Sequence, residues 1–251
     1  MSGMIVEIPW GMEKEVYTTT FGDREPILGQ WGMTPDGRLF RWAFSGGAIP
    51  AGQGVQSALA VADDDMDLAV AAAAAVGAQT VSITAVGTVT VNFYRDGYLY
   101  VNDGAGEGHN YCIKSHPVRT GAGTLVLTLH ENVREALATA TSLVGLVRNR
   151  FMDVVTYPGT TGITGTFLGV CPTEVTDNDY FWVQQLGPCA WLADATQAAV
   201  RGDGVEPSQE TDGGYDLHDV SGETDQPPAG YLGAVAAVAG DYGFVDLTAL
   251  K

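Results

Sequence analysis

The sequence is short of cations. Its 251 residues hold 12 Lys and Arg against 30 Asp and Glu, a net charge of −18, and the lysines are only Lys14, Lys114 and Lys251. Phosphate backbones are gripped by Lys and Arg, so no nucleic-acid partner is expected. Long apolar runs are missing too. The longest, Leu68 to Gly77 and Leu232 to Gly240, fall well short of the roughly 20 residues a membrane-spanning helix needs. No basic stretch followed by an apolar core opens the chain, so no secretory signal is read and a soluble protein made in a cytoplasm is expected.

Cysteine is scarce and odd in number: Cys112, Cys171 and Cys189. That count does not fit a disulfide framework. Three reduced, packed thiols are expected, with a Cys171–Cys189 pair as the alternative. Without a CxxC pair no structural zinc site is expected. The histidines, His109, His116, His130 and His218, lie in neither HxH nor HExxH spacing, and no GxSxG elbow occurs. A triad assembled in space remains open, because sequence order does not restrict it. No catalytic, metal-binding or cofactor-binding residue is nominated, and an enzyme is not expected.

Several short motifs imitate chemistry. "GAGEGH" at 104–109 looks like a phosphate loop, but "YCIKSH" after it reads as a strand where a helix is required, so a turn is expected. "TDNDY" at 176–180 has spaced oxygens without the glycine and distal glutamate of a calcium loop, and reads as a surface turn. Arg201-Gly202-Asp203 spells an adhesion tripeptide that a turn-rich chain supplies by chance. Asp63-Asp64-Asp65 reads as a solvated helix start, with cation binding as the alternative.

What is present is glycine, with 33 Gly and 11 Pro separating short apolar runs in a chain that is 45 % hydrophobic. This pattern indicates a globular, mainly β fold: small barrel or sandwich units, one or two short helices, and an extended N-terminal arm. Three regions are expected: an arm over 1–30, a β-rich domain over 31–157, and an acidic, barrel-like domain over 158–251. From Cys171 onward fourteen acidic residues face only Arg201 and Lys251. Within 31–157, "TPDGRLFRWAF" predicts a turn and a strand. "DDDMDLAVAAAAAVGA" predicts a helix or a small-residue strand. "VSITAV" and "TVTVNFY" alternate, and "RDG" then suggests a hairpin back into "YLYV". "TLVLTL" puts Leu125, Leu127 and Leu129 on one face. Val133, Ala136, Leu137, Ala140 and Val144 follow helical spacing and predict a helix near 131–145. Late in the chain, "FLGVCPTEVTDNDYFWVQQL" and "YLGAVAAVAGDYGFVDL" echo each other as two strand-turn-strand units.

The most distinctive stretch is "YFWVQQLGPCAWLADATQAAVRGDGV", from Tyr180 to Val205. Tyr180 and Trp182 share one face of a strand and Phe181 and Val183 the other. Three readings stand: packing inside a doubly covered sheet, contact with a partner subunit, or sugar stacking on Trp182 and Trp191.

"DGYLYVNDGAGEGHNYCIKSH", "LVGLVRNRFMDVV" and "FLGVCPTEVTDNDYFWVQQLGPCAWLAD" together resemble a group of virion proteins of tailed bacteriophages, over roughly two thirds of the chain. "ILGQWGMTPDGRLFRWAFSGGAIPAGQGV" and "YLGAVAAVAGDYGFVDL" look like the small β-barrel of capsid decoration proteins. The resemblance implies a cement protein that sits as a homotrimer on the outside of the major capsid protein lattice. It carries over no active site. Tyr180, Phe181, Trp182 and Trp191 are then core or interface aromatics, and residues 1–30 an arm laid across neighbouring subunits. A carbohydrate-binding or host-recognition module of a head fibre or tail is the alternative.

Overall fold

The structure, a computed structural model, describes residues 6–7, 13–21, 27–59, 66–159, 164–194, 199–218, 228–234 and 240–248. Five strands come first: β1 (Val6–Glu7), β2 (Thr20–Phe21), β3 (Trp31–Met33), β4 (Leu39–Phe44) and β5 (Gln53–Gln56). Next come β6 (Leu68–Ala72), β7 (Thr80–Ala85), β8 (Tyr98–Asp103), β9 (Asn110–Ser115), β10 (Gly123–Leu129) and β11 (Leu143–Val147). The last group is β12 (Val155–Thr156), β13 (Phe167–Cys171), β14 (Asp179–Leu192), β15 (Gly204–Pro207), β16 (Tyr215–Leu217), β17 (Gly230–Ala234) and β18 (Tyr242–Leu247). The fold is mainly β, as the glycine-punctuated pattern indicates. Among the described residues the only helical element is one 3-10 turn, Glu13–Tyr17.

The chain divides into two compact units, and not at the boundaries the sequence suggests. One unit comprises Met1–Leu59 with Arg150–Lys251, and the other is Ala60–Asn149. The reason is long-range pairing. β4 lies against β14 with Trp42 opposite Trp182, and β5 lies against β13 with Gly54 opposite Val170. Those ladders tie residues before the second unit to residues after it, so neither 31–157 nor 158–251 closes by itself.

In the Ala60–Asn149 unit, six strands close a barrel in the order β10-β7-β6-β11-β8-β9. The run β11-β8-β9-β10 has the spatial order of a Greek key. Alternation fills the interior: Leu125, Leu127 and Leu129 from β10, Val81 and Ile83 from β7, and Leu99 and Val101 from β8 are all buried.

Two local expectations for this unit are corrected, and one left open between helix and strand is decided. No helix forms at 131–145. Val133, Leu137 and Val144 are buried, but Leu137 forms an antiparallel bridge with Ala74, and the Val133 N–H donates to the Ala78 carbonyl. Ala140, at a φ of 60°, also stands where a right-handed helix cannot. Val133 and Leu137 reach the core by pairing with 74–78 and Val144 through β11, while Ala136 and Ala140 are exposed, so tertiary contacts override propensity. Leu68–Ala72 is a strand and not a helix, beginning after Asp67 at a φ of 62°. The Asp63–Asp65 run lies outside the described residues. "TVTVNFY" is not the first arm of a hairpin. Val91–Asp96 coils through turns, with Asn92 and Asp96 both at a φ of 59°. Asn92 Oδ1 accepts the His116 N–H, which fastens the coil.

The other unit is built on a 12-stranded sheet whose main path runs β1-β3-β4-β14-β18-β17-β15-β16. The two echoing segments form antiparallel pairs in it, β13 with β14 and β17 with β18. The described part of the expected arm belongs to this core. β2 pairs with the start of β14, and Val16 and Leu28 are buried against Phe40, Trp42, Tyr180 and Trp182.

Candidate docking surface

β14 changes character halfway along. Its first half, Asp179 to Gln185, is buried on both faces. On one face Tyr180 and Trp182 join Trp42, whose ring stacks on Tyr180 at 5.9 Å and meets Trp182 at 4.9 Å. On the other, Phe181 and Val183 join Ala43, Val55 and Leu168. The buried amides are satisfied: Gln185 Nε2 donates to the Leu168 carbonyl, and Gln184 Nε2 reaches the carbonyls of Leu186, Gly187 and Pro188. The ladder to β4 then shifts register, and Gly187 takes a φ of +85°. That conformation favours glycine.

Beyond this kink only one face is covered. Cys189 and Trp191 point inward, where the Trp191 indole stacks on Phe167 at 5.4 Å and donates to the Gly213 carbonyl at 2.9 Å. The four aromatics singled out from sequence are therefore core residues within this chain, with Trp182 5 % and Trp191 0 % exposed. Neither tryptophan is open to stack on a sugar.

The uncovered face gathers a different set. Ala190 lies opposite Phe244, Leu192 opposite Tyr242, and Pro188 opposite Asp246, which lies opposite Tyr231 on β17. Tyr231, Tyr242 and Phe244 are about half exposed. Two of these rings rest on glycine. A Cβ on Gly52 would collide with the Tyr242 ring, and a Cβ on Gly233 would stand 2.8 Å from Cδ1 of Phe244. The Tyr242 hydroxyl donates to the Ala51 carbonyl at 3.1 Å, which fixes that ring further. Each of these two rings thus packs on a glycine while about half of it stays exposed. A shallow cleft of about 380 Å³ adjoins Tyr242, Gly52 and Pro188 and reaches Tyr17. The period-two pattern of "DYGFVDL" already separates Tyr242 and Phe244 from Val245 and Leu247. Only the fold shows which set faces outward, and the glycine supports come from distant sequence.

Groups capable of chemistry are tied up. All three cysteines are free thiols. Burial pushes Cys171 and Cys189 up to about 12. Burial, with Asp96 and Glu131 nearby, takes Cys112 to about 11, so none is a thiolate nucleophile at neutral pH. The His116 ring accepts the Tyr94 N–H at Nε2 and pairs with the Pro117 carbonyl through Nδ1, which requires the neutral tautomer protonated at Nδ1. Ser208 donates to Asp194 and accepts the N–H groups of Glu210 and Thr211, and so pins a turn. His218 Nδ1 lies 2.6 Å from Glu206, away from that serine's hydrogen bonds. No group of three His, Cys, Asp or Glu side chains suited to a metal occurs among the described residues. Residues 105–108 and 177–178 are turns, but Asp179 and Tyr180 already belong to β14 and are buried, so "TDNDY" is a turn only in part. Arg201-Gly202-Asp203 is a surface turn, with Asp203 accepting the Val200 N–H and Arg201 donating to the Gly233 carbonyl. No protein family, curated protein or solved structure matches this chain.

Proposed function

We propose that this chain is a structural protein of a tailed-bacteriophage virion, a capsid decoration protein that binds the outer surface of the major capsid protein lattice as a homotrimer. The observation that carries this reading is the face of Tyr231, Tyr242, Phe244, Pro188 and Ala190. It is an uncovered sheet surface that gathers three of the five exposed aromatics among the described residues, with Tyr17 and Tyr98 standing elsewhere. Tyrosine and other aromatics anchor interfaces because they bury much apolar area at low entropic cost. The resemblance of "DGYLYVNDGAGEGHNYCIKSH" and "FLGVCPTEVTDNDYFWVQQLGPCAWLAD" to virion proteins supplies the class of partner. The net charge of −18 suits an exterior position, away from packaged DNA.

The test is the copy number in purified virions. A number comparable with the capsid lattice is expected. A handful per particle would overturn decoration in favour of a fibre or tail part. A second reading, a carbohydrate-binding or host-recognition module, draws on the glycine-supported rings, since an open aromatic face also suits a sugar ring. It requires retention on insoluble polysaccharide that is lost when Tyr242 and Phe244 are replaced by alanine.

A further inference from the structure

We propose that the outer face of β14, β18 and β17 is built for a cationic protein surface, one that lays arginine or lysine side chains over Tyr242 and Phe244 and pairs them with Asp241 and Asp246. This rests on the docking reading above and names the chemistry of its partner.

Three observations converge. The first is ring posture. Tyr242 packs on Gly52 and Phe244 on Gly233, and each side chain is about half exposed. The face of an aromatic ring is the negative part of its quadrupole, and it attracts a guanidinium or ammonium. The second is charge. Asp241 immediately precedes Tyr242. Asp246 follows Phe244 by two residues and lies between Pro188 and Tyr231 in the ladder, and both carboxylates are exposed. Arg201 reaches this rim with its Nε committed to the Gly233 carbonyl. A second copy of the chain would bring the same net charge of −18. Charge complementarity therefore favours a different and basic partner. The third is the protein's own practice. The guanidinium of Arg41 lies 3.4 Å from the centre of the Trp31 ring, and that of Arg148 lies 3.9 Å from that of Phe93. Tyr242 and Phe244 offer an outside arginine the same kind of contact.

The test titrates the full chain with N-acetyl-argininamide and, separately, with the neutral isostere N-acetyl-citrullinamide and with neutral gluco- and manno-oligosaccharides. Ring-proton NMR signals of Tyr242 and Phe244 are the readout. Argininamide is expected to shift both, while citrullinamide and the sugars leave them in place. Phe244→Ala and Tyr242→Ala should each weaken argininamide binding about two- to fivefold. Asp246→Asn should weaken it and flatten its salt dependence. Gly233→Ala, which places a methyl against the Phe244 ring, should weaken binding without removing any aromatic. Equal response to citrullinamide, a response to the sugars, or no response to argininamide would overturn the proposal. In purified virions, zero-length carbodiimide coupling should join Asp241 or Asp246 to a lysine of a neighbouring protein. Lattice-level copies coupled only through other carboxylates would overturn this inference and leave decoration standing. Absence from virions would refute decoration, with the titration still deciding the chemistry of the face.

Discussion

The barrel of residues 68–147 and the sheet unit around β14 bury their apolar residues by different means. The barrel closes its ladder on itself, so one interior holds Ile83, Leu99, Ile113, Leu125 and Leu127, with no strand edge left over. An open sheet has two faces and needs a cover for each. Around β14 the covers are aromatic, with Trp42, Tyr180 and Trp182 on one side and Phe181 on the other. Past Gly187 the second cover stops. Closure makes a self-sufficient core, whereas an open sheet leaves a face that something else can occupy.

The largest expected effect tests the doubly covered half. Trp182→Ala removes a side chain that is 5 % exposed. It should cost about 3–5 kcal/mol, read from urea denaturation followed by a probe in that unit. An unchanged midpoint would mean that the aromatic cover is not holding the sheet. Leu127→Ala in the barrel, at 0 % exposure, should cost about 2–5 kcal/mol. Hydrogen exchange should show its protection losses in 68–147. Equal losses across both units would erase the distinction between two cores.

A smaller effect separates the units by pH. Burial lowers the pKa of His116 from the usual 6.5. Its folded form thus stays neutral where the unfolded chain is already protonated. Stability from this site is present above pH 6.5 and is lost as pH falls from there toward the lowered folded value, at a slope of up to about 1.4 kcal/mol per pH unit. His116→Gln should be less stable at pH 7 yet show a flatter profile between pH 7 and 5 in thermal melts. A variant as steep as the parent would place the sensitivity elsewhere. The smallest effect belongs to the open face. Phe244→Ala should shift stability by no more than about 0.5 kcal/mol, because the ring stands 49 % exposed in the isolated chain. A large loss would make Phe244 part of the core.

Strands were readable wherever alternation met a clear boundary. "TLVLTL" became β10 with its three leucines inward, and the two echoing segments became two antiparallel pairs. The double-sided apolar pattern of Tyr180 to Val183 stated its own burial. Helical spacing at 131–145 misled, because the bridge between Leu137 and Ala74 buries Leu137 without a helix, while Ala136 and Ala140 of the same spacing stay exposed. The division into units was hidden for a related reason: the pairing of β4 with β14 spans some 140 residues of sequence. As for the candidate site, "DYGFVDL" showed two unlike faces, but the supporting role of Gly52 and Gly233 depends on contacts that no local pattern records.

β14 has a mechanical consequence. It is one covalent strand of 14 residues, hydrogen-bonded to β4 through Tyr180–Gln184 and to β18 through Gly187–Leu192. Traction on the open face therefore enters the backbone at Pro188 and Ala190 and runs along the strand into its doubly covered half. Force directed along the strand would load the ladder bonds there together in shear. A tether of this kind joins the open face directly to the doubly covered half of the sheet.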